Sequence, residues 1–305
     1  MENQKLPKVC VIMSTYNGEK YLKEQIDSIL KQKDIDLSLY ISDDRSTDET
    51  TKIIEEYQKE HKNITLHINE NNKNFTYNFL DSLFLFKDNT EFDYYAFADQ
   101  DDSWLEDKLI SAINLIKSKF NESESVLYSS NLKIVNEKLE WNGEYLNNYI
   151  PPKYQILGRN IVTGCTVVMN KSFKNLATEH YPENIYLHDY WLALIASFCK
   201  NAHYIYDENS YILYRQHGNN LIGSNKNKLK RILSFLFKKI PENERTHNLV
   251  LKFYELYKNE VLSDDLNLIE KLAYYKKFRN RNSLIWNSHG KISNRLKIKI
   301  LLKKY

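Results

Sequence analysis

The sequence lacks the glycine-rich motifs that commonly cradle nucleotide phosphates, since neither G-x-G-x-x-G nor G-x-x-x-x-G-K-[ST] occurs in its 305 residues. This absence excludes the usual binding loops for dinucleotides and nucleoside triphosphates. Uncharged apolar runs, such as residues 232–237 (ILSFLF), are too short to cross a bilayer. These short runs indicate a protein that is soluble or lies on a membrane surface. Because 42% of the residues are hydrophobic, we expect the protein to be folded.

Cysteine is scarce, and Cys10, Cys165 and Cys199 are far apart in apolar surroundings without C-x-x-C spacing. This pattern predicts buried free thiols in a reducing compartment. No charged and then apolar leader precedes the first apolar run, which starts at Val9. We therefore expect a cytoplasmic protein and not a secreted one.

Charge is divided unevenly along the chain, although the formal net charge is only +3. Residues 1–225 carry 23 Lys and Arg against 33 Asp and Glu, whereas residues 226–305 carry 20 against 7. We predict one large acidic domain over residues 1–225. A basic, mainly helical region follows over residues 226–305, with amphipathic patterns at 228–239 and 294–304.

The basic region has two interpretations. Apolar-faced helices of this charge suit docking on the anionic inner leaflet of a membrane, so that the protein is peripheral on its cytoplasmic face. The alternative is helices with solvated basic faces that pack on the domain or form a homo-oligomer contact. Nucleic-acid binding is not expected, because no recognisable module accompanies the charge.

Strand and helix patterns alternate through the first 120 residues or so, which predicts an α/β fold with an open, mostly parallel sheet. Residues 9–13 form a continuous apolar run, typical of a strand covered on both faces. Two capping boxes, Ser46 with Glu49 and Ser103 with Glu106, predict helix starts. Later segments predict two strands, a buried helix and a pair of strands, at 126–137, 160–170, 187–200 and 203–220.

Polar clusters follow three of the predicted strands, at Ser14–Asn17, Asp43–Asp44 and Asp99–Asp102. In open parallel sheets, ligands bind at the carboxyl ends of the strands, so we expect the three clusters to converge on one crevice. Neighbouring carboxylates repel one another, so such a run either caps a helix or holds a metal ion. Carboxylate oxygens select Mg²⁺ or Mn²⁺.

Five ordered blocks, VIMSTYNGEKYL, ISDDRSTDET, FADQDDSWLEDKL, LHDYW and YRQHGNN, resemble family 2 glycosyltransferases. The set is most similar to the bacterial rhamnosyltransferase branch, and the resemblance covers about residues 8–222. It implies a GT-A fold and an inverting enzyme that uses a nucleotide-diphospho-sugar, with residues 226–305 as an appendage to the transferase domain.

The resemblance implies that Ser14 and Tyr16 contact the base and ribose, that Asp44 accepts the pyrimidine N3–H, and that Asp99 lies near the ribose. The residues alone leave simpler readings open. Ser14 and Tyr16 suit an ordinary strand-to-helix turn, and Asp44 suits a solvated loop.

A divalent metal, Mg²⁺ or Mn²⁺, is implied at Asp101 and His217, with Arg215 and Gln216 beside the diphosphate on a donor loop. Without the resemblance, His217 is interpreted as a surface histidine. The capping box at Ser103 would explain only Asp102, the last acid of the run Asp99–Asp102.

Asp189 corresponds to the general base, although His188 stands before it where the family commonly has Glu. Thr163 and Gly164 match the small-residue segment under the sugar. The alternative for Asp189 is a helix N-cap.

The function implied is transfer of L-rhamnose from dTDP-L-rhamnose onto a hydroxyl of a cell-surface glycan or lipid-linked acceptor. A UDP-hexose donor is the alternative within the fold, since thymine and uracil present the same N3–H. Other classes considered are a nucleotidyltransferase, a non-catalytic sugar-binding module and a phosphoacceptor signalling domain. The first would need the missing triphosphate cradle.

Overall fold

The computed structural model describes residues 5–146, 152–217, 242–286, 288 and 291–301. The chain divides into two compact units. The first comprises Met1–Ile150, Val162–Tyr181 and Asn201–Arg215, and the second comprises Pro151–Ile161, Pro182–Lys200 and Gln216–Tyr305.

The strands of the first unit form one mixed sheet in the order β3-β2-β1-β4-β8-β6-β9-β5, with β7 paired to β6. Pairs β1–β2, β1–β4, β2–β3 and β6–β9 are parallel, whereas β8 runs antiparallel to both its neighbours and β5 to β9. The strands are β1 Lys8–Thr15, β2 Asp36–Asp43, β3 Ile64–Ile68, β4 Tyr94–Ala98, β5 Ser103–Trp104, β6 Ser125–Val135, β7 Trp141–Tyr145, β8 Val168–Asn170 and β9 Ala202–Arg215.

Helices α1 to α5 belong to the first unit and the others to the second. They are α1 Leu22–Leu30, α2 Thr50–Glu60, α3 Asn74–Leu85, α4 Lys108–Lys119, α5 Lys171–Ala177, α6 His188–Phe198, α7 Glu242–Tyr257, α8 Ser263–Ala273, α9 Phe278–Trp286 and α10 Asn294–Leu301. Short 3₁₀ turns occupy Lys153–Leu157 and Gly164–Thr166.

The core of the first unit lies on the central strands β1 and β4. Residues Val9–Met13 and Tyr95–Ala98 are essentially inaccessible, because helices cover both faces of a parallel sheet. Apolar residues of α1 and α4 pack against them, including Ile26 and Ile113. The continuous apolar run near the N-terminus thus has the buried position that its pattern predicts.

The second unit is built around α6, in which all residues from His188 to Phe198 are buried. The Tyr190 hydroxyl donates to the Ile156 carbonyl, and Trp191 meets Phe253 edge to face. A helix that is apolar all round needs such enclosure, because every face must leave water.

Most predicted elements are confirmed, but two segments were predicted wrongly. Residues 160–170 form a 3₁₀ turn and a short strand instead of one long strand, and 203–217 contains the single strand β9 instead of two. The predicted boundary at residue 225 and the amphipathic segment 228–239 lie outside the described residues. The segment 294–304 does contain a helix, α10, on which Ile298 is exposed.

Both capping boxes were also wrong. Ser46 donates its hydroxyl to Asp43, while Asp48 Oδ1 accepts from the Thr50 amide at the start of α2. Ser103 lies in β5, paired with Leu213. Ser46 is held in the turn after β2 and Ser103 by strand pairing, so neither serine caps a helix.

Among the residues that the structure describes, no helix combines the length and apolarity that crossing a membrane requires.

A buried lysine joins α5 to the segment after α3. The Lys174 ammonium donates to the carbonyls of Phe86 and Lys87 at 2.8 Å and of Asn89 at 3.2 Å. We expect Lys174→Met to lower the free energy of unfolding by about 2–4 kcal/mol, because three carbonyls lose their donor. Urea denaturation measures this change. The exposed Lys117→Met is the control, and equal stability of the two variants would contradict the assignment.

Candidate functional site

Three polar strand ends meet at one edge of the first unit. Strand β1 lies between β2 and β4, with Thr15 opposite Asp43 and Met13 opposite Ala98. The Asp44 amide donates to the Thr15 carbonyl at 2.8 Å, which continues the pairing beyond the strands. The predicted convergence of these strand ends is therefore present.

The turn after β1 is clamped by Gln100, whose side-chain amide accepts from the Tyr16 amide and donates to the Tyr16 carbonyl, at 2.8 and 3.0 Å. A Cβ on Gly18 would lie 2.2 Å from the Gln100 Oε1 atom, so any larger residue there would displace the Gln100 side chain from this clamp. The Tyr16 ring itself is 51% exposed. It thus stands at the edge of the site with its faces accessible.

The two acids after β2 differ in their partners. Asp43 accepts from the hydroxyls of Thr15 and Ser46 at 2.8 and 2.6 Å, so it orients the turn. Asp44 is buried, and its Oδ1 atom accepts from the Lys73 amide at 2.7 Å and from Asn69 at 3.2 Å. The Asp44 carboxylate is therefore fixed through one oxygen.

Asn78, which sequence reasoning missed, connects the first two strand ends. Its side chain donates to the Ser14 hydroxyl at 2.6 Å and accepts from Asn69 and from the Ser42 hydroxyl. This network links Ser14 to Asp44 through buried amides. The available signal was an asparagine on the buried face of the apolar helix α3.

The acids after β4 lie close to one another and to Cys165. Ligand atoms of Asp99, Asp102 and Cys165 all lie within 4.8 Å of one another. Burial raises the pKa of Asp102, and the Asp101 and Asp99 carboxylates raise it further. Burial also raises the pKa of the Cys165 thiol, with Asp102 adding to the effect.

A buried lysine on α4 belongs to the same cluster. The Lys108 ammonium lies 3.7 Å from the centre of the Trp104 ring and makes no hydrogen bond within the described residues. Burial lowers the pKa of Lys108 to about 7, although Cys165 and Asp102 act in the opposite direction. Lys108 was not predicted as part of the site, since a lysine at the start of a helix is usually solvated.

Arg215 ties the acidic run to the rest of the unit. It is 1% exposed; its Nε donates to the Asp101 carbonyl at 2.9 Å, and its backbone amide donates to Asp102 Oδ1 at 3.2 Å. The guanidinium also pairs with Glu24 and lies 4.4 Å from the centre of the Tyr21 ring. Its described contacts are thus with protein groups that fix the loop.

The segment Thr163–Cys165 also borders the acids. Thr163 is the residue before the 3₁₀ turn, and its carbonyl accepts from the Thr166 amide and hydroxyl. The Val167 carbonyl accepts from the Phe97 amide, which places this segment alongside β4. Thr163 and Gly164 are half-buried.

The remaining predicted residues belong to the second unit and are described within it. Asp189 is buried in the first turn of α6, where its Oδ1 accepts from the Tyr190 amide at 2.7 Å. The N-cap position is occupied by Leu187, so the N-cap alternative for Asp189 is wrong. Burial lowers the pKa of His188 to about 3, so this ring is neutral at pH 7. Gln216 and His217, both half-buried, follow Arg215 in the chain.

Comparison with known proteins identifies the family. The model of glycosyl transferase family 2 matches residues 10–176, which is more than half of the chain. The chain belongs to glycosyltransferase family 2. A dTDP-rhamnosyl transferase, RfbG of Shigella flexneri, is 34% identical over 239 residues, which cover 72% of this chain and 78% of the relative.

Solved structures show the fold of this family 2 glycosyltransferase. S. aureus TarS (residues 1–349), crystallised with UDP-GlcNAc, aligns with a TM-score of 0.54 and 17% identity over 97% of this chain and 88% of its own. The mannosyltransferase PcManGT of Pyrobaculum calidifontis, in complex with GDP-Man and Mn²⁺, aligns with a TM-score of 0.54 and 16% identity. The alignment covers 99% of this chain and 82% of PcManGT. The fold is of the GT-A type.

The acidic run suits a divalent cation. Its donors are carboxylates, which hard ions such as Mg²⁺ and Mn²⁺ prefer. The Asp102 Oδ2 atom is buried without a hydrogen-bond partner among the described residues, so the cluster has carboxylate capacity that the protein does not satisfy. The residues of this glycosyltransferase therefore fit a bound metal ion.

The Lys108 pKa predicts a dependence of stability on pH. Lysine keeps its proton to about pH 10 in the unfolded chain, so between about pH 7 and 10 the unfolded state binds more protons. The free energy of unfolding attributable to Lys108 therefore rises with pH, by about 2 kcal/mol from pH 7 to pH 9. We expect Lys108→Met to lose this rise relative to the wild type.

Denaturant titrations at pH 7 and pH 9 measure the difference between the two proteins. Lys117→Met, exposed on the same helix, should keep the wild-type pH dependence. Identical pH dependence in Lys108→Met and Lys117→Met would contradict a buried, readily deprotonated Lys108.

Proposed function

We propose that this glycosyltransferase is inverting and metal-dependent, and that it transfers L-rhamnose from dTDP-L-rhamnose to a hydroxyl of a cell-surface glycan or lipid-linked acceptor. The observation that carries the proposal is the convergence of three polar strand ends in a family 2 chain. The rhamnosyl donor is supported by the name and 34% identity of the Shigella relative.

In this proposal the nucleoside binds along the first two strand ends. The Asp44 donors reach Oδ1, so Oδ2 is the oxygen assigned to the pyrimidine N3–H. The Ser14 hydroxyl, fixed by Asn78, and the exposed ring of Tyr16 supply the remaining contacts to base and ribose. Asp99 lies at the neighbouring strand end for the ribose.

Asp101 and His217 are the residues that would hold Mg²⁺ or Mn²⁺. A bound divalent ion would neutralise the charge that develops on the leaving nucleoside diphosphate. Within the proposal Arg215 is a positioning residue, since its guanidinium holds the Asp101 carbonyl, and Gln216 lies by the diphosphate on the donor loop.

The chemical step is a single in-line displacement at the anomeric carbon. Asp189 takes the proton of the acceptor hydroxyl as the oxygen attacks, and the configuration inverts because no protein nucleophile intervenes. A neutral His188 beside this base adds no positive charge that would lower its basicity. Thr163 and Gly164 form the small surface proposed to lie under the sugar.

The donor is tested by calorimetric titration with dTDP-L-rhamnose, UDP-glucose and UDP-galactose, in Mn²⁺ and after chelation. We expect dTDP-L-rhamnose to bind most tightly and chelation to weaken it. Asp44→Ala should weaken it about 10- to 100-fold, because a charged hydrogen bond is worth about 1.5–3 kcal/mol. Glu70→Ala, exposed beyond β3, is the control. Tighter binding of a UDP-hexose would select the alternative donor, and absence of nucleotide-sugar binding would overturn the proposal.

The base is tested with Asp189→Asn, which retains an oxygen to accept from the Tyr190 amide. We expect kcat to fall about 10²- to 10⁴-fold, in keeping with loss of general base catalysis, while the Kd for the donor stays within twofold. Radiolabelled transfer to acceptor measures kcat, and circular dichroism checks the fold. An unchanged kcat would contradict the assignment of Asp189 as the general base.

A further inference from the structure

A cavity of about 580 Å³ lies in the first unit, separate in its lining from the residues assigned above. Its walls come from the loop after β5 and from strands β6, β7 and β9. The lining residues that matter here are Asn131, Lys133, Tyr145, Tyr206, Ser210 and Tyr211. Nothing in the proposed reaction uses this cavity.

The cavity lies where β6 and β9 lose their register. Ser130 pairs with Asp207 but the next residue, Asn131, pairs with Ser210, so two extra residues bulge from β9. Bulges bend a strand and re-aim its side chains, and they concentrate near functional sites. This bulge is fixed, because Asp207 accepts from the backbone and side-chain amides of Asn209 at 2.9 Å. The cavity is therefore preformed.

The lining combines flat apolar faces with short polar groups. Tyr145 is 38% exposed, and its ring lies 5.4 Å, edge to face, from that of Trp141, which is 50% exposed. The Ser210 hydroxyl is buried and has no hydrogen-bond partner among the described residues. The polar residues Asn131 and Asn209 complete the wall. A pyranose matches this set, since it presents a C–H face and a rim of hydroxyls.

Other ligand classes fit less well. The lining contains one cation, Lys133, against the acids Asp107 and Glu208, so an anionic phosphate or nucleotide is disfavoured. Three charged groups and two asparagines disfavour a purely apolar ligand, because these polar groups would lose water without new partners. A neutral carbohydrate satisfies the hydroxyl, amide and aromatic groups together.

The chain connects this cavity to the proposed donor site. Tyr211 precedes Arg215 by four residues in β9, a distance of about 13 Å along an extended strand. Strand β5, paired with β9 at Leu213, begins directly after the acidic run. The cavity thus lies a few sugar lengths from the acids.

We propose that the cavity is a subsite for the acceptor glycan and binds a neutral sugar residue a few positions back from the hydroxyl that is glycosylated. This inference rests on the proposed transferase function and adds a substrate class to it. An acceptor held at a second point would be presented in a defined orientation, which lowers the entropic cost of reaching the transition state.

The test uses a panel of neutral tetrasaccharides built from rhamnose, glucose, galactose and N-acetylglucosamine, with saturation-transfer difference NMR as the readout. We expect at least one member to bind at millimolar concentration and Tyr145→Ala to weaken that binding about tenfold or more. Tyr145 is exposed on β7, so its truncation should leave the fold intact. Tyr145→Phe, which keeps the ring face, should bind like the wild type.

Trp286→Ala is the matched control, because Trp286 is an exposed aromatic outside the lining. Titration with dTDP is run on every variant, and its affinity should not change. A wild type that binds tetrasaccharide but not dTDP would count against the donor proposal alone. Absence of binding across the panel, or equal binding by wild type and Tyr145→Ala, would overturn the subsite.

The wild type and Tyr145→Ala are then assayed for transfer to each tetrasaccharide that binds. This assay distinguishes an acceptor from a sugar that binds for another purpose. For a tetrasaccharide that is glycosylated, we expect KM to rise about tenfold in Tyr145→Ala, with the KM of the matching monosaccharide glycoside unchanged. A tetrasaccharide that binds the cavity without being an acceptor, and leaves transfer unaffected, would refute the acceptor assignment.

Discussion

The architecture of the site depends on one buried guanidinium. Arg215 holds the Asp101 carbonyl, pairs with Glu24 on α1 and lies over the ring of Tyr21 at the start of the same helix, so it fixes the acidic loop against α1. Its Nε contact with that loop is to a backbone oxygen, not a carboxylate. The positive charge beside the acidic run opposes the repulsion among its carboxylates.

Hydrogen-bond partners also distinguish two neighbouring aspartates elsewhere in the site. Asp43 and Asp44 are adjacent and both buried, yet both oxygens of Asp43 accept hydrogen bonds, from the Thr15 and Ser46 hydroxyls and the Ser46 amide, while Asp44 is held through one oxygen. Local sequence gives only part of the reason, since the donors Thr15, Asn69 and Lys73 come from other segments of the chain. Chemical role here is set by the donors that surround a carboxylate.

Local signals in the sequence were sufficient for the parallel half of the sheet. Apolar runs that end in polar residues marked β1, β2 and β4, and the parallel order placed their ends together. The antiparallel β8, inserted between β4 and β6, was beyond such reasoning because its three residues pair with strands distant in sequence. The buried polar residues Asn78 and Lys108 were not predicted for a related reason, since the groups that surround them, such as Ser14 for Asn78 and the Trp104 ring for Lys108, lie on other elements.

The segment 203–217 was predicted as two strands because a bulge in β9 interrupts the alternation of its side chains. Three extra residues in β9 relative to β6, an odd number, reverse which side of the strand faces the core. Ile205 and Ile212 therefore both reach the same core although one is odd and the other even in number. That break in alternation resembles a turn between two strands when only the sequence is considered. In the folded chain β9 stays continuous up to Arg215, and the tyrosine-lined cavity lies beside its irregular part.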